Sequence, residues 1–124
     1  MKQVANSDNS RRKALVCVGS NVTSHWGSPR QTVAQSAKLI SDRIHQDLQQ
    51  SRYFRTPAFP EGSGDDFVNA AFSFETDWDA ETVMSMLHEI EAEADRVRKT
   101  RWAARTLDLD LIALCGEVAP DAAT

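Results

Sequence analysis

From Thr106 to Leu111 the chain reads Thr-Leu-Asp-Leu-Asp-Leu. An alternation with a period of two becomes two separate faces only on an extended strand. Leu107, Leu109 and Leu111 then belong to a buried side, and Asp108 and Asp110 to the opposite one. The chain must therefore build a sheet with one uncovered face. The two carboxylates stand about 7 Å apart along the strand, close enough to repel unless a cation lies between them. Just upstream, Arg96, Arg98, Lys99, Arg101 and Arg105 place five cations within ten residues. Paired hard oxygen ligands beside an arginine cluster suit a divalent metal carrying a polyphosphate. Each half also has a plainer reading. The carboxylates could be outward residues of an edge strand, and the cations a solvated helix end favoured by its dipole.

The remaining elements follow from periodicity and punctuation. Met1 to Lys13 is polar, offers nothing to bury, and reads as a disordered arm. Ala14 to Val18 is a short apolar run, a central strand, and Gly19-Ser20-Asn21 turns the chain after it. Ser28-Pro29-Arg30-Gln31 is a capping residue, a first-turn proline and a reciprocating Gln, the start of a helix whose stripe is Val33, Ala37, Ile40 and Ile44. Ser51 to Thr56 reads as a strand stopped by Pro57 and Pro60, followed by a loop at 61–65. Between Phe67 and Phe74 one face carries Val68, Ala70, Phe72 and Phe74; the other carries Phe67, Asn69, Ala71 and Ser73. Asp77 or Asp79 caps a second helix with the stripe Val83, Met86, Leu87, Ile90, Ala94 and Val97.

The order β-α-β-β-α-β predicts an α+β, ferredoxin-like fold: a four-stranded antiparallel sheet with two helices on one face. Phe67, Asn69, Asp108 and Asp110 all project from the open face. The domain runs over 14–118, and 119–124 reads as a flexible tail. With 124 residues there is one core, and a net charge of −4 argues against general nucleic-acid binding. Sheet modules for single-stranded nucleic acid pair aromatics on adjacent strands, whereas Phe67 reads as alone on its face. No apolar run reaches bilayer length and no secretory signal opens the chain. Cys17 and Cys115 read as buried free thiols of a cytoplasmic protein, and His25, His45 and His88 are too scattered for a zinc site.

Several pieces resemble the 6-hydroxymethyl-7,8-dihydropterin pyrophosphokinase family. They are Gly19-Ser20-Asn21, Tyr53-Phe54-Arg55-Thr56-Pro57, Phe67-Val68-Asn69-Ala70-Ala71, Arg96-Val97-Arg98-Lys99, Arg101-Trp102 and the string from Arg105 to Asp110. The resemblance implies a monomeric, cytoplasmic enzyme that moves the pyrophosphoryl group of ATP onto a pterin hydroxymethyl, with ATP and the pterin as small-molecule partners. It implies that Asp108 and Asp110 hold two Mg²⁺ ions and that Arg96 and Arg105 act with them in catalysis. Gly19, Ser20, Asn21, Thr56, Pro57, Phe59, Phe67, Asn69 and Trp102 would meet the pterin. His88, Glu91, Arg98 and Arg101 would meet the nucleotide.

The chain differs from the family pattern in three respects. The pattern continues beyond Thr124 with a His, an Arg and a second pterin-stacking aromatic. The segment between Arg98 and Arg105 is one residue short and has Ala103-Ala104 where Gly-Pro is usual. His88 stands where the family has a nucleotide-contacting Gln. The alternative these differences raise is a catalytically silent relative that binds pterin or nucleotide without turnover.

Overall fold

The computed structural model describes residues 11–57, 64–96 and 106–115. Residues 1–10 of the arm expected over 1–13, Phe59, Pro60, Val97, Arg98, Lys99, Arg101, Trp102, Arg105 and the expected tail at 119–124 lie outside the described residues, whereas Arg12 and Lys13 of that arm belong to a strand. The elements are β1 (Arg12–Ser20), α1 (Pro29–Ile44), β2 (Gln49–Gln50), β3 (Phe54–Thr56), β4 (Phe67–Thr76), α2 (Ala80–Ala94) and β5 (Asp108–Cys115). They form an α+β structure, an antiparallel sheet of five strands with two helices. No described helix is long and apolar enough to cross a membrane.

β1 lies between β4 and β5, and the far edge of β4 carries both β2 and β3. Of the strand expected over 51–56 only Phe54–Thr56 forms, as β3, and a second short piece, β2, pairs with the same neighbour just before the expected start. The interruption has a local cause. Ser51 donates its N–H to the Ala71 carbonyl at 2.9 Å, while its hydroxyl, not a backbone carbonyl, accepts the Ala71 N–H at 2.9 Å. A side-chain oxygen substituting for a ladder acceptor lets the backbone swing out between the pieces. β1 begins two residues before the expected Ala14, because β4 runs on to Thr76 and supplies partners for Arg12 and Lys13.

Both helices start where the caps predict. Ser28 accepts the Gln31 N–H and Gln31 answers with a bond to the Ser28 N–H, a complete capping box. Asp79, not Asp77, caps α2 by accepting the Thr82 N–H at 2.9 Å. The helices bury Val33, Ala37 and Ile40 and, from α2, Val83, Met86, Leu87, Ile90 and Ala94. These meet Ala14, Val16 and Val18 of β1, Ala70, Phe72 and Phe74 of β4, and Leu107 and Leu109 in a single core on one side of the sheet.

α1 ends on His45 in the left-handed conformation, φ 58°. Glycine holds such a cap without the clash a Cβ makes with the carbonyl oxygen. His45→Gly should therefore stabilise the fold by about 0.5 kcal/mol, once the looser unfolded chain is subtracted. Thermal unfolding by circular dichroism checks this, and a lower midpoint for the glycine variant contradicts it.

Candidate active site

The uncovered face is built by register. Asp108 pairs with Gly19, Gly19 with Asn69 and Asn69 with Phe54, so one line across four strands carries these residues side by side. Directly paired residues of an antiparallel ladder face the same way. The next line along the strands is Asp110, Cys17 and Ala71. Neighbouring strands lie about 5 Å apart, which puts the backbones of Asp108 and Asn69 about 10 Å from each other with Gly19 between. Asp108 and Asp110 are both exposed, and the intervening Leu109 is buried, as the alternation predicts.

Gly19 keeps this line open. A Cβ there would lie 2.8 Å from the Asn69 Oδ1 and 3.6 Å from a Phe67 ring carbon. The amide and the ring therefore lean over the bare backbone of β1. Asn69 is held from its other side, where its Nδ2 donates to the Thr56 hydroxyl at 2.6 Å. With Nδ2 so engaged, Oδ1 is turned toward Gly19. An oriented amide beside a half-buried aromatic ring suits a flat heterocycle with donors and acceptors on its edge.

Other expected residues take different places. Ser20 is buried on the helix side, and its hydroxyl donates to the Thr106 carbonyl at 2.6 Å. Asn21 donates from Nδ2 to the Asp65 carbonyl at 3.1 Å, tying the end of β1 to the residues before β4. Thr56 and Pro57 are exposed at the end of β3. The Arg96 guanidinium pairs with Glu93 at 2.9 Å on the surface, not with the carboxylate line. Glu91 accepts the Leu109 N–H at 2.7 Å, so its carboxylate anchors the peptide between Asp108 and Asp110. His88 is exposed on α2, three residues before Glu91. Arg98, Arg101, Arg105, Phe59 and Trp102 are outside the described residues.

Two expectations are corrected. Phe67 is not alone on the open face, since Phe54 stands beside Asn69, 45% exposed, with the Arg52 guanidinium 5.1 Å from its ring centre. Phe54 and Thr56 share a strand parity, a signal present in the sequence once a strand is drawn there. Cys17 and Cys115 are free, as expected, but exposed: both sit on strands at open-face positions.

Among the described residues no three His, Cys, Asp or Glu side chains gather as a metal cage. Asp108 and Asp110 nevertheless fit magnesium. That ion takes one or two carboxylates and fills its octahedron with phosphate oxygens and water. A cleft of about 570 Å³ opens elsewhere, lined by residues that include Arg30, Arg55, Asp65 and Asp66. Arg55 pairs with Val68, which packs on the core, so this cleft lies on the helix-covered side of the β3–β4 ribbon.

Residues 15–122 match the sequence model of the family described as 7,8-dihydro-6-hydroxymethylpterin-pyrophosphokinase. The chain is 33% identical over 107 residues to 2-amino-4-hydroxy-6-hydroxymethyldihydropteridine pyrophosphokinase of Haemophilus influenzae, covering 85% of this chain and 64% of that protein. It is 28% identical over 109 residues to the protein of the same name from Methylorubrum extorquens, covering 88% of this chain and 67% of that one. A 48-residue stretch is 40% identical to the Bifunctional protein FolKE of Lactococcus lactis, covering 39% of this chain and 14% of that protein. The chain thus spans about two thirds of the length of the first two relatives.

Proposed function

Because the chain belongs to the 7,8-dihydro-6-hydroxymethylpterin-pyrophosphokinase family, we propose that it transfers the pyrophosphoryl group of ATP to 6-hydroxymethyl-7,8-dihydropterin in folate synthesis. The observation that carries this reading is the cross-strand line in which Asp108 and Asn69 flank Gly19. It sets a phosphate-side group and a heterocycle-side group on one face, about 10 Å apart at the backbone. We read the sheet as a ferredoxin-like arrangement whose second strand is divided into β2 and β3, with 14–118 as the working domain.

In this reading Asp108 and Asp110 hold two Mg²⁺ ions, which supply charge neutralisation on the triphosphate when bound. Asn69 meets the polar edge of the pterin, and Phe67 stacks on its ring. Gly19 leaves room for both, while Thr56 fixes the amide. Pro57, Phe59, Asn21 and Trp102 border the heterocycle, and Ser20 supports the end of β1 beneath it. Arg96, Arg98, Arg101 and Arg105 bind phosphate oxygens with permanently charged, planar donors. His88 and Glu91 flank the nucleotide along the outer edge of β5. The pterin hydroxymethyl oxygen bonds to the β-phosphorus as the bond from that phosphorus to the bridging α-oxygen breaks. AMP leaves with that oxygen, and the hydroxyl proton passes to solvent. Positioning and charge neutralisation carry such a transfer, so no dedicated base is required. The protein acts as a cytoplasmic monomer on small molecules, without nucleic acid or membrane.

The test is direct. Incubation with ATP, Mg²⁺ and hydroxymethyl-dihydropterin should yield one AMP per pterin consumed. AMP no higher than the Asp108→Ala background refutes the transfer. Pterin binding without AMP in the same sample identifies the silent alternative.

A further inference from the structure

The end of α2 and its cap carry two carboxylates one turn apart, one bonded to β5 and the other to Thr106 just before it. Glu91 accepts the Leu109 N–H at 2.7 Å. Asp95, which caps the C-terminus of α2, accepts the Thr106 N–H at 3.0 Å through Oδ1 and the Thr106 hydroxyl through the same oxygen. The Thr106 carbonyl takes the Ser20 hydroxyl at 2.6 Å. Every polar group of Thr106 is therefore engaged, on one side by α2 and on the other by β1. Thr106 and Ser20 are 4% and 1% exposed, so the bond between them is buried, while the bonds from Thr106 to Asp95 are partly buried.

Thr106 stands two residues before Asp108, and β5 needs a fixed start. It is an outer strand paired with β1 alone among the described residues, and its register breaks opposite Leu15 and Val16. Ahead of that break only Asp108 to Leu111 pair with β1. A one-residue slip of so short a ladder would turn both carboxylates toward the core.

We propose that Asp95 is a positioning residue for the metal-binding carboxylates: by gripping Thr106 it fixes the height at which Asp108 stands beside Gly19 and Asn69. The proposal rests on the reading of Asp108 and Asp110 as ligands. Asp95 acts at one remove and touches neither substrate nor metal.

Its test uses Mn²⁺ with an ATP analogue carrying a methylene between the α and β phosphorus atoms, and free Mn²⁺ is read by electron paramagnetic resonance. Asp95→Ala should weaken Mn²⁺ binding about tenfold, the lower end of the range for outer-shell partners of a metal ligand. The Mg²⁺ concentration for half-maximal AMP release should rise by a similar factor, with KM for the pterin unchanged. Asp95→Asn keeps an oxygen that accepts both Thr106 hydrogens and should restore most of the affinity. A lowered melting temperature with unchanged Mn²⁺ affinity in Asp95→Ala marks a merely structural contact and overturns the proposal.

If Asp95→Ala does not fold, Thr106→Val against Thr106→Ser reads the same bond. Only the serine variant keeps the hydroxyl, and equal Mn²⁺ affinities overturn the proposal. The Mn²⁺ measurement needs no turnover. A wild-type chain that binds Mn²⁺ but releases no AMP thus removes the pyrophosphokinase reading and leaves Asp95 to be judged alone. A wild-type chain that binds no Mn²⁺ removes both.

Discussion

Asp108→Ala should lower AMP release by about 10³-fold, the several kcal/mol of transition-state charge stabilisation that a bound divalent ion contributes. The side chain is exposed on the face without helices, so its removal opens no cavity in the core. The strand stays pinned by its ladder to β1 and by the Leu109 N–H bond to Glu91. Thermal stability should accordingly change by no more than about 0.5 kcal/mol, as for other surface substitutions. Pterin binding in the absence of nucleotide should persist, because Asn69 and Phe67 lie across Gly19 from the missing carboxylate. Chromatographic quantification of AMP, together with a melting curve, checks both halves. A variant that keeps a tenth of wild-type turnover would mean that Asp108 is an outward residue of an edge strand and nothing more.

Gly19→Ala should weaken pterin binding by about tenfold or more, while the fold survives. The added Cβ would sit 2.8 Å from the Asn69 Oδ1, closer than real Cβ atoms approach. Backbone gives way less readily than the end of a side chain, so the Asn69 amide rotates and its 2.6 Å bond to the Thr56 hydroxyl is lost. An amide turned out of line forfeits its hydrogen bonds to the heterocycle, each worth about 1 kcal/mol net. The backbone of Gly19 is not in the left-handed region, so alanine itself is not strained there. Calorimetric titration with hydroxymethyl-dihydropterin measures the loss. A double-mutant cycle isolates its route: in an Asn69→Ala background the glycine substitution should have little further effect. Full additivity of the two substitutions would show that Gly19 acts by some path other than the amide.

Much of this molecule is written locally. The capping box at Ser28, the Asp79 cap and the two buried stripes are interactions within a few residues, so periodicity and short spacings reveal them. The same holds for the parity of Asp108 and Asp110, which needs only the alternation of a single strand. Asn69 and Phe67 share a face for the same reason. The parity of Phe54 with Thr56 was equally open to reading in the strand expected over 51–56; what no local pattern gave was its place opposite Asn69 at the sheet's edge.

Alternation along each strand thus determined which residues share a face, and capping chemistry determined where the helices begin. Neither specifies which residue of one strand stands opposite which residue of another. The alignment of Asp108, Gly19, Asn69 and Phe54 was decided by tertiary structure, as was the break in the β5 ladder. So were the Ser51 hydroxyl inserted opposite Ala71 and the reach of Asp95 to Thr106. The reason is physical. Register between strands distant in sequence is set by packing a shared core and satisfying every ladder group at once, a condition that no short window of residues contains.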